Sequence, residues 1–351
     1  MNKLSLLFVV NVATLVCLLQ VQSCQGWSAG DILFKYQGKY KHHEEWRWWK
    51  TTHAKNYASH QEELERHLIW LSNRKYIEQH NANSHIFGFT LAMNYWGDMT
   101  DSEYNDVHKS YEPTNKKLVS NFPVFETPQN LTYPDSLDWR TKGAVGSIKD
   151  QMAYQCGSSY AFGAIGALEG ANALANGQLV SLSEQNILDC SVPYGNFGCS
   201  GGNVYNTFMY VIANSGVDTE DSYYYKGRQD ECSYSSNNRG AKMSGIVRIK
   251  SGDESSLMAA VTSVGPVAVA VDASSNAFRY YSSGVFDSSR CSSSSSTHFM
   301  VVTGYGTTNG KDYWLVKNSW SSNWGMNGYI MMTRGNYNQC GIATDASYPT
   351  L

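Results

Sequence analysis

The sequence predicts an α+β protein built as two lobes, and three features predict it. Helical patterns come first after Pro134, short β-rich runs fill the last third, and composition shifts at Pro134 itself. The chain has 351 residues, 42% apolar and 13% aromatic, which suits one or two packed domains plus processing segments. Only 16% are charged, and a net charge of −3 offers no basic field to a phosphate backbone, which argues against nucleic-acid binding. The eight cysteines are too few for a small disulfide knot but suit staples on a real core.

The N-terminus opens with Lys3 and an apolar run over residues 4–21, broken by Asn11 and Thr14. Val21 and Ser23 stand at −3 and −1 of a cleavage after Ser23, which predicts a signal peptide over 1–23. The rival reading is an N-terminal membrane anchor, since the run approaches the lower length of a span. The polar interruptions and the cleavable end favour a secreted protein whose cysteines pair. Cys17 would leave with the signal peptide, and Cys24 lies at the cleavage point. No other apolar stretch is long enough to cross a bilayer.

Residues 25–109 are polar, rich in His, Trp and charge, and hold no cysteine. Glu62, Arg66, Trp70, Asn73, Ile77 and Asn81 recur at three- and four-residue steps and share one helix face, as on a surface or docking helix. The stretch 111–133, with Pro113, Pro123 and Pro128, reads as exposed, extended chain and a processing site. It also carries the glycosylation sequon Asn130-Leu131-Thr132.

Beyond Pro134 six cysteines appear. A buried helix is expected over 159–176 with Gly177 as its C-cap, a second headed by Ser183, and a third over 201–214. Residues 267–271, 299–304, 313–317 and 329–333 are β-rich runs between Gly and Ser turns. The one low-complexity tract is 292–296, all serine.

The run Gln155-Cys156-Gly157-Ser158-Ser159-Tyr160-Ala161-Phe162 resembles the nucleophile signature of papain-like peptidases, in which a cysteine follows Cys-Gly-Ser and opens a long helix. Here that position is Ser159. Thr297-His298-Phe299 and Lys317-Asn318-Ser319-Trp320 follow where that family has its base and orienting amide, at the roughly 130–150-residue spacing it requires. Gly198-Cys199-Ser200-Gly201-Gly202, Gly304-Tyr305-Gly306 and Trp324-Gly325 also match. The early helix face resembles the inhibitory prosegment of the cathepsin L type. Ala92, Asn94, Trp96 and Asp98 resemble its second motif, with Ala92 and Trp96 replacing the usual Gly and Phe.

The resemblance implies a papain-like two-lobed fold, a helical lobe plus a β-barrel-like lobe, preceded by a helical inhibitory prosegment. It divides the chain into a signal peptide at 1–23, a prosegment at 24–132 and a catalytic domain at 133–351. It also implies the pairings Cys156–Cys199, Cys190–Cys232 and Cys291–Cys340; sequence alone allows fifteen connectivities. Serine at the nucleophile position, the serine tract before the base, and the ending Asp345-Ala346-Ser347-Tyr348-Pro349-Thr350-Leu351 resemble one branch of the family, the silicateins. That branch implies polycondensation of silica from silicic acid or alkoxysilanes and self-association into filaments. It places the protein outside the cell or in a lysosome-like or silica-deposition vesicle. The alternatives are a weak endopeptidase with a serine nucleophile and a catalytically silent structural filament protein.

The chemistry follows from the residue types. A thiol beside an imidazole ionises readily, whereas a serine hydroxyl stays neutral, so Ser159 must pass its proton to His298 during attack. Asn318 orients the imidazole without a charge to stabilise imidazolium, a handicap of up to about 10⁴ in a serine triad. Weak peptidase activity is expected. Silicon accepts a fifth ligand and is less demanding of its nucleophile. The oxyanion donor is assigned to Gln151 in Lys149-Asp150-Gln151, although the loop carries two extra residues and Gln155 lies nearer to Ser159. Phe299 replaces the family's usual Ala and is expected to crowd the cleft; Ser321 replaces a glycine. Trp320 is expected over the Asn318–His298 hydrogen bond and Trp324 in the core. No metal-ligand spacing occurs, so no cofactor is expected.

Overall fold

The computed structural model describes residues 42–107, 111, 119–152 and 155–351. The N-terminal apolar run, its cleavage point and Cys17 and Cys24 lie outside the described residues. The chain divides into two compact units, one ending at Leu71 and one beginning at Ser72.

The first unit is held by aromatic rings. Helix α1 covers 42–52, and α2 (His60–Asn81) begins after Ser59, whose hydroxyl accepts from Glu62 N–H at 3.1 Å. Glu62 in turn accepts from Ala58 N–H at 2.8 Å, close to the reciprocal capping that a Ser-x-x-Glu pattern provides. Trp46 stacks on Trp49 (centroids 5.3 Å) and His67 (4.8 Å) and meets Trp70 edge-on at 5.7 Å.

The second unit starts within α2. Asn73 donates to the Gly97 and Met99 carbonyls at 2.9 and 3.0 Å, and Asn81 exchanges two 2.8 Å bonds with the Leu91 backbone. The two amides reach the chain that follows: α3 (Ser84–Phe87), β1 (Phe89–Leu91) and α4 (Asp101–Val107). Then come β2 (Leu137–Asp138), α5 (Ser159–Asn176), α6 (Glu184–Cys190) and α7 (Val204–Ala213). A short pair, β3 (Val217–Asp218) with β4 (Arg239–Ala241), leads to β5 (Gly245–Arg248), α8 (Glu254–Ser263) and β6 (Val267–Val271). The chain ends with α9 (Asn276–Arg279), β7 (Tyr281–Phe286), β8 (His298–Thr308), β9 (Lys311–Lys317), β10 (Tyr329–Thr333) and β11 (Ala346–Thr350).

Among the described residues nine strands form one sheet, ordered β1-β7-β10-β9-β8-β6-β11-β5 with β2 on β8. Its centre is the antiparallel pair β6 and β8, where Val271 faces His298 and Ala270 faces Phe299. Their side chains alternate between two cores, as the period of a strand requires. Val267, Val269, Val271, Met300 and Val302 join the core that holds Trp314, Trp320 and Trp324. Ala268, Ala270 and Phe299 join the helical core of Ala161, Ile165, Leu168, Val204 and Phe208.

Helix α5 ends on left-handed Gly177 (φ 74°), and Ser183 caps α6 by accepting from Asn186 N–H, both where the sequence places them. The third helix starts later than expected, at Val204. Gly201 is non-helical at a positive φ open to glycine (φ 116°, ψ 177°), and Asn203 supplies the cap by accepting from Tyr205 N–H. Strand β8 runs on to Thr308, past the expected end. The stretch 111–133 is not wholly exposed. Phe125 is buried with its N–H on the Arg248 carbonyl at 2.8 Å, and Phe122 stacks on Tyr205 at 5.8 Å. Asn130 is exposed, with φ 62°. The six described cysteines pair as Cys156–Cys199, Cys190–Cys232 and Cys291–Cys340. No described helix is long and apolar enough to cross a membrane.

Candidate active site

Ser159 is the first residue of α5, and a row of glycines carries it to the sheet. Gly163, Gly166 and Gly170 share the helix face turned to β8 and Pro266. A Cβ at Gly166 would stand 2.9 Å from Val301 Cγ2, and one at Gly163 3.1 Å from Phe299 Cβ. Without those side chains α5 lies close enough for Phe299 N–H to donate to Ser159 Oγ at 3.1 Å. Ser158, just before the helix, makes no side-chain cap; its hydroxyl meets the Tyr225 hydroxyl at 2.7 Å.

His298 opens β8, and Asn318 follows the last residue of β9. His298 Nε2 lies 2.8 Å from Asn318 Oδ1, which also accepts from Ser319 N–H at 2.8 Å. The Ser319 bond fixes which end of the amide is oxygen, and an oxygen can only accept. Nε2 therefore carries the imidazole proton, leaving Nδ1 as the basic nitrogen. Trp320 covers the ring at 4.6 Å, tilted by 38°, as expected. Complete burial pulls the His298 pKa down to about 4, against the opposing effect of the hydrogen bond it donates to Asn318. The imidazole is neutral near pH 7, the state that a general base requires.

The two glutamines part company. Gln151 is buried, donates to the Cys156 carbonyl at 3.1 Å and accepts from the Ser319 hydroxyl at 2.6 Å. Its N–H donates to the Ser319 carbonyl at 2.9 Å, so it is locked beside Asn318. Gln155 is exposed in a left-handed conformation (φ 55°), its amide 3.5 Å from the Tyr95 hydroxyl. Phe299 does not crowd the cleft by standing beside the imidazole. The pleat of β8 turns it to the opposite face from His298, into the helical core. Ser321 adopts φ 60°, the conformation that makes glycine usual there. Trp324 is buried, its Nε1–H on the Arg279 carbonyl at 3.1 Å.

Behind the site lies a charged group that motif spacing did not reveal. Lys149 reaches Glu184 at 2.7 Å, Glu220 at 3.3 Å and Glu169 at 3.6 Å. Burial lowers the Lys149 pKa, but the three carboxylates outweigh it and hold the ammonium firmly charged. Lys317 is also buried, and desolvation pulls its pKa down. A cavity of about 20 Å³, room for one water, is lined by Lys149, Glu184, Lys317, Asn318 and Ser319 among others.

Chain preceding Pro134 covers this region. Trp96 meets Trp320 edge-on at 4.6 Å. Arg279, fully buried, donates to the Trp96 and Met99 carbonyls and lies over Tyr104 at 4.9 Å. Asn94 donates back to the Arg279 carbonyl at 2.7 Å.

Residues 133–350 match the model of the papain family cysteine proteases, and residues 46–104 match the cathepsin propeptide inhibitor domain. The chain is 50% identical over 319 residues to a protein of Petrosia ficiformis named silicatein, spanning 88% of this chain and 94% of that one. It is 44% identical to human cathepsin L2, spanning 87% and 92% of the two chains. Its fold matches the solved digestive procathepsin L2 proteinase of Tenebrio molitor with a TM-score of 0.83, at 39% identity, covering 88% of this chain and all of that one. The chain belongs to the papain family, as a two-lobed α+β protein with an inhibitory propeptide domain, a serine at the head of α5, and no unpaired cysteine among its described residues.

Proposed function

We propose that the processed protein condenses silica from silicic acid or alkoxysilanes, with Ser159 as nucleophile and His298 as general base. One observation carries the reading: a serine, not a thiol, heads α5, and its hydroxyl accepts from the backbone N–H of Phe299, the residue that follows the neutral His298. Ser159 Oγ attacks silicon as its proton passes to His298 Nδ1, and His298 returns that proton to the departing alcohol or water. A second silanol then attacks the silyl-enzyme. The siloxane bond forms, the Si–Oγ bond breaks, and the silanol proton returns to Ser159 through His298. Asn318 holds the tautomer, while the second N–H of Gln151 Nε2, beside the one given to the Cys156 carbonyl, and the Ser159 N–H are the donors we assign to the developing oxyanion. The named silicatein supports this reading. So does the serine itself, since a hydroxyl with an uncharged orienting partner is poorly equipped for peptide bonds.

The same reading gives the chain a signal peptide at 1–23, a prosegment at 24–132 removed by a cut between Pro128 and Pro134, secretion, and self-association into filaments. The intact His298–Asn318 pair favours slow endopeptidase action as the second reading. The test is silica release from tetraethoxysilane by the processed protein and its Ser159→Ala variant, with Ser159→Cys assayed on a dipeptide substrate. The expected result is loss of silica formation with alanine and gain of peptide cleavage with cysteine. Silica formation unchanged by alanine would leave a mineral-templating scaffold in place of an enzyme. Peptide turnover by the parent without silica release would favour the peptidase.

A further inference from the structure

Between two anchored points ahead of the catalytic domain the chain runs exposed. Phe125 is buried, with its N–H on the Arg248 carbonyl at 2.8 Å, and Arg248 N–H returns to the Pro123 carbonyl at 3.0 Å. Leu137 is buried again and pairs with Tyr305 on β8. Within 126–136 only Leu131 rests against the core; the other residues are exposed, in neither helix nor strand. Gln129 and Asn130 form a turn, with Asn130 left-handed at φ 62°, a region that asparagine tolerates better than most residues. Asn130-Leu131-Thr132 is the one N-glycosylation sequon in the 351 residues, and it falls in this exposed stretch.

We propose that Asn130 is an N-glycan acceptor and that its glycan shields residues 126–136 from cutting, so that the sugar delays maturation and then departs with the prosegment. The proposal rests on the reading of 1–23 as a signal peptide and of 128–134 as the place of the cut.

Three features support it. The first is chemical. The sugar donor is a lipid-pyrophosphate-linked oligosaccharide of the secretory membrane. Asn130 Nδ2 attacks its anomeric carbon, the C–N bond forms, the bond from that carbon to the pyrophosphate oxygen breaks, and the lipid pyrophosphate leaves while Nδ2 gives up one proton. Asn130 and Thr132 are both exposed, so the finished fold accommodates the glycan without rearrangement. The second is geometric. A protease must draw several consecutive residues, extended, into its cleft, and exposed polar stretches such as this are where nicking concentrates. Chain pinned at Phe125 and Leu137, and resting on Leu131 between them, has little slack to offer. A cut within 128–134 therefore brings Asn130 to the mouth of the cleft, where a bulky glycan obstructs entry. The third is placement. No sequon follows Pro134, so the sugar marks the precursor and is absent from the processed domain.

The test makes the full chain in a secretory eukaryotic host, once with its own residues 1–23 and once with the host's signal sequence in their place. Intact mass and peptide mapping read the sugar on Asn130, and a broad-specificity protease is then added while cuts are mapped over time. The comparison variants are Thr132→Ala, which removes the sequon and leaves Asn130 in place, and Thr132→Ser, which keeps it. The expected result is a glycan on Asn130 in the parent and cutting within 126–136 that is slower by about tenfold or more than in Thr132→Ala. Thr132→Ser should regain slow cutting in the fraction of chains that carry sugar, and equal melting temperatures show that the fold is unchanged. A bare Asn130 behind the host's signal sequence, equal cutting of the glycosylated and bare chains, or cuts confined to other parts of the chain would overturn the proposal. Sugar that appears only behind the host's signal sequence would sink the reading of 1–23 and leave the acceptor and its shielding standing. Silica formation is not part of the readout, so its failure would leave this result standing as well.

Discussion

The backbone N–H of Phe299 donates to the Ser159 hydroxyl at 3.1 Å, joining the first residue of a helix to the second residue of a strand across 140 positions of sequence. A hydroxyl oxygen that accepts from a fixed backbone donor is restrained in rotation, and its own proton is left to point elsewhere. The Ser159 hydroxyl is thus aimed by the packing of α5 on β8.

That packing depends on the glycine face. Gly166→Ala would put a methyl 2.9 Å from Val301 Cγ2 and push α5 away from the strand. The expected cost is about 1–3 kcal/mol in chemical denaturation, with silica formation falling more steeply than stability. An unchanged denaturation midpoint would mean that the helix yields freely there.

The neutral partner of His298 sets a limit that one substitution should lift. Asn318→Asp adds a carboxylate beside the imidazole and should raise its pKa above about 4, with turnover by Ser159 rising about tenfold or more. Asn318→Ala frees the ring and should lower turnover by about the same factor. Histidine NMR titration and initial rates check both, and a lower rate in the aspartate variant would contradict the assignment of Ser159 as nucleophile.

Burial of neutral His298 also makes stability depend on pH. Its pKa falls from 6.5 in the unfolded chain to about 4 in the folded one, so the unfolded state binds more protons between those values. The contribution is full above pH 6.5 and is lost as pH falls toward 4, a change on the order of 3 kcal/mol. His298→Gln should flatten that part of the stability curve. A variant as acid-sensitive as the parent would show that other groups govern it.

Arg279 anchors the prosegment through two backbone carbonyls. Arg279→Met removes the charge-assisted bonds while keeping apolar bulk, and should weaken prosegment docking by about tenfold or more. The readout is faster cutting within 119–133 by an added protease, with the melting temperature followed as a control. Equal cutting rates would place the hold elsewhere, on Trp96 and Tyr104.

Much of the site was legible because it lies in short runs. Ser159, His298 and Asn318 each sit in a motif a few residues long, and α5 announces itself by its Ala, Gly and Leu content and by Gly177. The start of α7 is not legible in the same way: the glycines at 201 and 202 look like the opening of a helix, while the capping amide is Asn203. Helix α8 is masked in the sequence by the serines of its first turn, and β7 and β11 by the Ser, Gly and Pro349 that dilute their β character. Other features are set by distance along the chain. Lys149 meets Glu184 and Glu220 across 35 and 71 residues, and Tyr111 meets Asp345 across 234. No local pattern encodes such pairs.

The shared backbone of β6 and β8 has a consequence for control. With Val and Met on one side and Ala and Phe on the other, these strands are built into both cores, so the lobes cannot part like jaws to admit a substrate. Ser159 and His298 are both without solvent exposure, and on the proposed reading they become reachable when the covering chain is cut away. Cutting is not reversed by dilution or by a change of medium. Each molecule therefore carries a single-use trigger, and its working life is counted from the moment that trigger is spent.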